Sequence, residues 1–367
     1  MSSLLRLTPD AQRDALAALV DRELGAKLVR LESIAPGLGN RRFFRLYLAT
    51  DDDSGQPKSA IARVEADEDP DKRAAGVAPE PPLEPLRSFL EAAGIPVPKH
   101  YAADPDLMIE LIEDLGGRSL EQAAHEAEPA QRRGLYEEAC RLIPQLQRLE
   151  PPKPPIAAFE RHLDRPLFES KATRVLDWAL PWWLDRDPSR GEREVVQRAF
   201  SRIADVCEDA PSRLSHRDLK AANIHLREAA PEGARLVLID LQGAFMAPPE
   251  YDLVCLLRDS HVPLPSDEVA QHLEATRPEL PDAPAADIFD RRFTLLTLSR
   301  VAKDAAHYIY AFTNGGDSRY LPLVPTARQV LRESSARTAS FDPALQRFAD
   351  LIHDLREPVR AQSGGQS

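Results

Sequence analysis

The spacing of hydrophobic positions predicts a small, strand-rich region at the start of the chain. A helix comes first, because Leu16, Leu19 and Val20 recur at helical spacing behind Thr8-Pro9, a capping residue followed by a proline suited to a first turn. Apolar and aromatic runs then favour three short strands and, between the last two, a helix that glycine and proline stop. We expect the strands at 43–48, 59–64 and 108–112, the helix at 83–93 and a charged loop at 66–82.

From about residue 119 onward, long segments of helical periodicity dominate. They predict helices at 120–149, 174–184, 192–207, 288–312 and 345–355, interrupted by one β-rich island at 214–245. This order predicts an α+β protein with a small strand-rich lobe followed by a larger, mostly helical one. We place the N-terminal lobe, with its leading helix, at 1–113, the C-terminal lobe at 114–360 and a disordered tail at 361–367.

Composition and charge narrow the functional classes. The chain has 367 residues, too many for one compact core, and its 43% hydrophobic residues argue against a disordered chain. A formal net charge of −12 repels phosphate backbones and anionic lipid heads, so neither nucleic acid nor a membrane surface is an expected partner. A local basic pocket can still hold a nucleotide, so the total charge does not exclude ATP.

The N-terminus and the cysteines favour a cytoplasmic location. The first residues lack the long apolar region of a signal peptide, and no apolar run approaches the roughly 20 residues that a bilayer-spanning helix needs. Cys140, Cys207 and Cys255 are odd in number and far apart, which fits a reducing compartment. The histidines form no zinc-like cluster, so no zinc site is indicated.

Candidate chemistry is concentrated in the β-rich island. Residues 216–223 read HRDLKAAN, and the apolar run 236–239 ends at Asp240. Asp218 lies five positions before Asn223 and 22 before Asp240, the pattern of a catalytic loop followed by a strand that ends in a metal-binding aspartate. Phosphoryl transfer needs a carboxylate beside the acceptor hydroxyl, so Asp218 is the candidate catalytic base. Asn223 and Asp240 supply the hard oxygen ligands that Mg²⁺ prefers.

These motifs resemble those of the aminoglycoside-phosphotransferase-like kinases, a small-molecule branch of the protein-kinase-like fold. The segment 239–259, IDLQGAFMAPPEYDLVCLLRD, is similar to the bacterial sugar kinases that phosphorylate the anomeric hydroxyl of N-acetylmuramate and N-acetylglucosamine in cell-wall recycling. Segments 40–45, 111–116 and 320–322 support this resemblance, which covers about residues 30 to 335. It implies an antiparallel sheet in the small lobe, ATP and Mg²⁺ as cofactors, and a small-molecule hydroxyl acceptor, an amino sugar above all.

The resemblance also implies roles for residues of the catalytic loop. His216 is expected to support the loop through hydrogen bonds and not to act as the base. Lys220 is expected either to approach the γ-phosphate or to be a solvated lysine. Asp252 is expected to brace the backbone of the loop. Arg258 and Asp259 either reach toward the acceptor pocket or, as we favour, form a surface ion pair.

In the N-terminal lobe, the nucleotide is expected to bind to a glycine-bearing loop and to a strand. Gly37 and Gly39, with Asn40, either let backbone N–H groups approach the phosphates or form a simple turn. Arg63 stands on the strand where kinases carry a phosphate-binding lysine, although the two cations are not interchangeable. Glu84, on the following helix, is either a partner of Arg63 or an exposed acidic residue.

The segment between the lobes is expected to meet the adenine. Glu113 and Leu115 lie at this hinge, and their backbone atoms, not their side chains, would contact the base. An adenine nucleotide would then occupy the cleft between the two lobes.

Several alternatives stay open. An acidic chain also suits a cationic acceptor, so an aminoglycoside or other small-molecule kinase, acting on an antibiotic or an amino alcohol, is the near alternative. A protein kinase is disfavoured, because no D-F-G or A-P-E segment is found. The missing strand lysine favours a non-catalytic, kinase-like nucleotide-binding scaffold, whereas the intact Asp218, Asn223 and Asp240 oppose it. We expect a monomer or a weak homodimer.

Overall fold

The computed structural model describes residues 4–35, 41–49, 56–65, 81–227, 230–282 and 284–356. Gly37, Gly39 and Asn40, the expected tail at 361–367 and most of the expected loop at 66–82 lie outside the described residues. The nucleotide-binding role of this glycine segment therefore stays a prediction.

The N-terminal lobe is a helix packed on a five-stranded antiparallel sheet. Its elements are α1 (Pro9–Leu24), β1 (Lys27–Ile34), β2 (Arg42–Ala49), β3 (Ser59–Val64), α2 (Leu86–Ala92), β4 (His100–Asp104) and β5 (Ile109–Glu113). The strands lie in the order β1-β2-β3-β5-β4. Thr8 caps α1 as predicted, since its hydroxyl oxygen accepts from the N–H of Ala11 at 3.4 Å, and Gly25 ends α1 in the left-handed region with φ 61°.

Helices make up most of the C-terminal lobe, as the periodicity predicts. They are α3 (Leu120–Glu126), α4 (Pro129–Gln147), α5 (Ala157–Glu160), α6 (Arg165–Arg174), α7 (Leu180–Leu184), α8 (Arg190–Glu208), α9 (Tyr251–Leu257), α10 (Ser266–Thr276), α11 (Ala286–Gly315), α12 (Val324–Phe341) and α13 (Gln346–Asp354). A π-helical segment, Val175–Ala179, joins α6 to α7. Two antiparallel ribbons pair β6 (Arg213–Ser215) with β9 (Phe245–Ala247), and β7 (Ile224–Leu226) with β8 (Leu236–Leu238).

The described residues form two hydrophobic cores, one in each lobe. The smaller core joins α1 to the sheet, with Leu16, Leu19 and Leu46 fully buried. The larger core holds the helices after residue 119, and it also takes Leu86 and Leu90 of α2. Helix α2 therefore packs with the larger lobe although it precedes β4 in the chain. None of the described helices is long and apolar enough to cross a membrane.

Candidate active site

The predicted catalytic loop, residues 216–223, connects β6 to β7 and is anchored by Asp252 of α9. The buried carboxylate accepts from Ser215 Oγ at 2.7 Å, from the N–H of His216 at 2.8 Å and from the N–H of Arg217 at 3.2 Å. Arg217 has a left-handed backbone with φ 76°, a conformation that costs a non-glycine residue free energy unless its surroundings hold it. The expectation that Asp252 braces the loop is confirmed.

His216 is buried behind the loop, away from the cleft wall. Its Nε2 lies 2.8 Å from the carbonyl oxygen of Ile239, so Nε2 carries the proton and donates it. This bond connects the catalytic loop to the residue that precedes Asp240. A hydrogen bond of this kind is what a supporting role for His216 requires. The role itself stays a prediction.

Asp218, the candidate base, is surrounded by hydrogen-bond donors and positive charges. Arg300 Nη2 donates to its Oδ1, Asn223 Nδ2 donates to its Oδ2 at 3.3 Å, and Lys220 Nζ lies 3.7 Å from the same oxygen. Burial alone would raise the pKa of Asp218, but the charges of Arg300, Lys220 and Lys303 hold this pKa well below its usual range. The carboxylate is therefore ionised at neutral pH and can accept a hydrogen bond from a hydroxyl.

Arg300 is a site residue that the sequence did not predict. From α11 it donates to the carbonyl oxygen of Arg217 at 3.0 Å and to Asp304 Oδ2 at 2.7 Å, besides its bond to Asp218. Only 7% of Arg300 is exposed, so these acceptors and not water hold the guanidinium. The two residues of the Arg300–Asp218 pair are 82 positions apart in the chain, so no local motif marks the contact.

Lys220 lies beside Asp218 and not in open solvent, because only 29% of its side chain is exposed. Burial lowers the pKa of Lys220, but the negative charges of Asp218 and Asp259 raise it further, and the resulting pKa is above the usual value. The lysine is thus cationic at neutral pH on the wall of the cleft. Its contact with a γ-phosphate stays a prediction.

Asn223 and Asp240 face the same cleft. Asn223 Nδ2 donates to the carbonyl oxygen of Asp218 at 2.9 Å, which leaves Oδ1 of Asn223 as the ligand atom. Asp240 Oδ1 accepts from Gln242 Nε2 at 2.7 Å, Arg41 Nη1 lies 3.6 Å from the same oxygen, and 41% of the Asp240 side chain is exposed. Two hard oxygen ligands on an open wall fit Mg²⁺, which takes its other ligands from phosphates and water.

Arg63 lines the cleft from β3, but carboxylates of the sheet already bind its guanidinium. Its Nη1 lies 2.6 Å from Glu110 Oε2 and its Nη2 lies 2.5 Å from Glu65 Oε1. Glu84 binds Arg87, three residues further along the chain, and does not lie on the cleft wall. The expected pairing of Glu84 with Arg63 is therefore wrong, because Glu84 precedes α2 and its carboxylate is taken by Arg87 in the first turn of that helix.

The connection from β5 to α3 crosses the back of the cleft, and both Glu113 and Leu115 line the cavity there. The Glu113 carboxylate binds Arg227 Nη2 at 2.6 Å, and the Asp114 carboxylate binds Arg45 Nε at 2.8 Å. These side chains thus hold the hinge against both lobes. The expectation that adenine meets backbone atoms here stays a prediction.

The cleft between the lobes is a cavity of about 1140 Å³. It brings together most of the described residues that the sequence singled out: Arg63, Glu113, Leu115, Asp218, Lys220, Asn223 and Asp240. Helix α11 adds a row of polar side chains to this wall, which the sequence did not predict as site residues: Arg300, Lys303, Asp304, His307 and Tyr308.

The part of the cleft beyond Asp218, the candidate base, is called the acceptor half here and has an aromatic wall. The rings of Tyr308 and Tyr320 are parallel with centroids 5.9 Å apart, and the ring of His261 meets Tyr308 edge-on at 5.7 Å. Asp259 accepts from His261 Nδ1 at 2.8 Å and from the N–H of Ala221 at 3.2 Å. Asp259 therefore ties the aromatic wall to the catalytic loop.

Arg258 and Asp259 do not form the surface ion pair that we favoured. Asp259 is only 8% exposed and binds His261 and the catalytic loop, whereas the Arg258 guanidinium lies 5.7 Å from the ring centroid of Phe293. Both residues line the cleft, as the other interpretation expected. The expectation fails because the buried Asp259 carboxylate is already bound by His261 and the catalytic loop.

Comparisons with known proteins agree with this architecture. The model of the phosphotransferase enzyme family, APH, matches residues 30–288. The N-acetylmuramate/N-acetylglucosamine kinase of Neisseria meningitidis serogroup B (strain ATCC BAA-335 / MC58) is 27% identical over 267 residues, which cover 70% of this chain and 76% of the relative.

Solved structures show the same fold at low identity. Choline kinase LicA from Streptococcus pneumoniae has a TM-score of 0.55 at 15% identity, covering 88% of this chain and 99% of its own. Aminoglycoside phosphotransferase APH(2″)-Ib with ADP bound has a TM-score of 0.52 at 14% identity, covering 86% of this chain and 96% of its own. These likenesses confirm the expected two-lobed, protein-kinase-like α+β fold.

Proposed function

The chain belongs to the phosphotransferase enzyme family, and we propose that its acceptor is an amino sugar of the N-acetylmuramate or N-acetylglucosamine type. Membership of the family makes the protein an ATP-dependent small-molecule kinase. One observation carries the choice of sugar: a kinase of that name is 27% identical to this chain over 267 residues, which cover 70% of the chain. The aromatic wall of the acceptor half supports it, because the apolar C–H faces of a pyranose pack well on such rings.

Asp218 would orient the acceptor hydroxyl and take its proton as the phosphoryl group is transferred. Arg300 and Asn223 hold the carboxylate in one orientation before the acceptor arrives. Because its pKa lies well below the usual range, Asp218 is a weak base. We infer that it contributes more by positioning the hydroxyl than by early removal of the proton.

Asn223 and Asp240 would hold Mg²⁺. When bound, the cation would bridge the phosphates of ATP and offset the charge that develops during transfer. Lys220 would add a positive charge on the acceptor side, and Arg63 would add one from the sheet.

The test is ADP release by the purified chain with ATP, Mg²⁺ and a panel of acceptors: N-acetylmuramate, N-acetylglucosamine, glucose, choline, ethanolamine and gentamicin. We expect turnover with the two N-acetyl sugars, and a loss of at least about 10²-fold in kcat for Asp218→Asn, because a general base contributes about 10²–10⁴. Asp187→Asn, an exposed position at the α7–α8 connection, is the matched control. Turnover with other acceptors and none with either sugar would refute the amino-sugar proposal.

An amino alcohol is the second candidate, because aromatic rings beside a carboxylate can also hold an ammonium group. Here, however, the Asp259 carboxylate in that wall is bound by His261 and the loop. Choline or ethanolamine as the sole active acceptor would favour this candidate. A scaffold would give no ADP release with any acceptor and no Mg²⁺-dependent thermal shift with ATP.

A further inference from the structure

Where helix α11 borders the acceptor half, positive side chains outnumber the carboxylates that bind them. We propose that Lys303 binds a carboxylate of the acceptor, so that the enzyme prefers an acidic N-acetyl sugar to its neutral counterpart. This inference rests on the proposed function and goes beyond it by choosing between the two sugars.

Four cationic side chains from two helices lie close together here: Lys171 and Arg174 on α6, and Arg300 and Lys303 on α11. Helices α6 and α11 pack against each other, and within this contact Lys303 and Arg300 lower the pKa of Lys171, and Arg174 and Lys303 lower that of His307. Within the described part of the chain, the carboxylates that form ion pairs with these four residues are Asp218 and Asp304. The cluster therefore carries more positive than negative charge.

Lys171 shows the effect of that excess most directly. It is 6% exposed, its Nζ has no hydrogen-bond partner among the described residues, and it lies 5.0 and 5.1 Å from the ring centroids of Phe168 and Tyr251. Burial and the nearby cations lower the pKa of Lys171 to about 7. Buried positive charge of this kind is stabilised by an anion that binds beside it, because attraction is strong where water is excluded.

Lys303 is the lysine of this cluster that lines the cleft. Its Nζ lies 2.5 Å from Asp304 Oδ1, and an ammonium has three donors, so two remain for a ligand. Asp304 also accepts from Arg300 Nε at 2.7 Å, which means that two cations share one carboxylate. A carboxylate of the acceptor at Lys303 would supply the second negative charge.

His307 lies one helical turn beyond Lys303 and also lines the cleft. Its Nδ1 is 3.0 Å from the carbonyl oxygen of Lys303, so Nδ1 carries the proton and Nε2 is an acceptor. Burial, Lys303 and Arg174 lower the pKa of His307 to about 3, which keeps the ring neutral. Lys303 and His307 together match a ligand that has a carboxylate and an N–H or O–H donor, as an acidic N-acetyl sugar has.

N-Acetylmuramate and N-acetylglucosamine make a matched pair of acceptors, since they differ by a lactyl ether that bears a carboxylate. We expect the unmodified enzyme to have the higher kcat/KM with N-acetylmuramate. In Lys303→Gln this kcat/KM should fall at least about tenfold, through KM, because a charge-assisted hydrogen bond is lost. The value for N-acetylglucosamine should fall less, because only the effect of Lys303 on the pKa of Asp218 is lost, and Lys303→Arg, which keeps the charge, should restore part of the preference.

Lys27→Gln is the matched control, because it removes the same charge from an exposed position on β1. An equal loss with both sugars in Lys303→Gln, or a preference for N-acetylmuramate that survives the substitution, would overturn the inference while the proposed function stands. If neither sugar is phosphorylated by the unmodified enzyme, the proposed function fails. Binding of N-acetylmuramate without ATP can be followed by tryptophan fluorescence, because the ring centroids of Trp178 and His307 are 5.5 Å apart. This readout does not depend on turnover.

Discussion

Replacing Arg300 with methionine removes the guanidinium that binds Asp218, the candidate base, and we expect the pH dependence of the reaction to change as well as its rate. In the unmodified enzyme the charge of Arg300, with those of Lys220 and Lys303, holds the pKa of Asp218 well below its usual range. Asp218 must be ionised to accept the hydroxyl proton, so activity is lost as the pH falls through this pKa. Removing one of the three charges raises the pKa of Asp218, and the acid limb of kcat/KM should move to higher pH.

The contacts of Arg300 determine how much stability and activity the substitution should remove. Arg300 is 7% exposed and binds two carboxylates, and breaking a buried ion pair typically costs about 3–5 kcal/mol. Asp304 keeps Lys303 at 2.5 Å and Asp218 keeps Lys220 at 3.7 Å, so we expect the lower end, about 3 kcal/mol of unfolding free energy. Loss of a fixed orientation for the base should lower kcat by about 10²-fold.

The assay is direct measurement of ADP over a range of pH, together with unfolding by denaturant. Arg292→Met is the matched control, because Arg292 lies on the same helix, is 8% exposed and binds a buried carboxylate, Glu250, at 2.7 Å outside the cleft. It should lose stability without moving the acid limb. If Arg300→Met and Arg292→Met lose similar stability and keep the same pH profile, Arg300 is a structural residue and the reasoning about Asp218 is refuted.

Two further predictions concern the donor side of the cleft. Asp240→Ala should abolish the Mg²⁺-dependent part of the thermal shift with ATP, because a metal ligand is lost, and an unchanged shift would remove Asp240 from the metal site. Arg63→Ala should raise KM for ATP by about tenfold with little change in kcat, since a charge-assisted hydrogen bond to phosphate is worth about 1.5–3 kcal/mol. An unchanged KM would show that the ion pairs with Glu65 and Glu110 are the whole role of Arg63.

Local patterns in the sequence predicted the elements and the motif, because each depends on residues close together in the chain. The strand at 59–64 has the expected bounds, and the capped start of α1 follows from Thr8-Pro9. The role of Asp252 could be assigned only through the resemblance to kinase-like folds. Where the pattern is interrupted, prediction failed: Pro129 begins α4 and splits the helix expected at 120–149. Helix α12 was not expected, since Ser334, Ser335 and Thr338 weaken its helical signal.

The acceptor half could not be predicted in the same way, because its residues meet only through long-range packing. Arg300, Lys303, Asp304 and His307 lie within one predicted helix, 288–312. The sequence does show charged residues in an otherwise apolar helix. Burying a charged side chain costs free energy unless it is paired or binds a ligand, so these residues could have been marked as site candidates. The sequence, however, does not tell which partner they meet. In the fold, Arg300 meets Asp218, and the rest of the row faces the cleft.

An acidic chain could bind a polyanion in this cleft, because arginines and lysines line it and carboxylates hold several of them in place. Arg63 is 4% exposed and bound by two glutamates, so its charge is fixed in place but largely offset. Arg41 sits at the start of β2 with its Nη1 3.6 Å from Asp240, and thus spans the two lobes beside the candidate metal ligand. Phosphates would attract Arg41, and Mg²⁺ would attract Asp240, so we expect nucleotide binding to replace this contact with two stronger ones. An arginine at the place of the usual lysine would then share the phosphate charge with Arg41, which lies between the lobes.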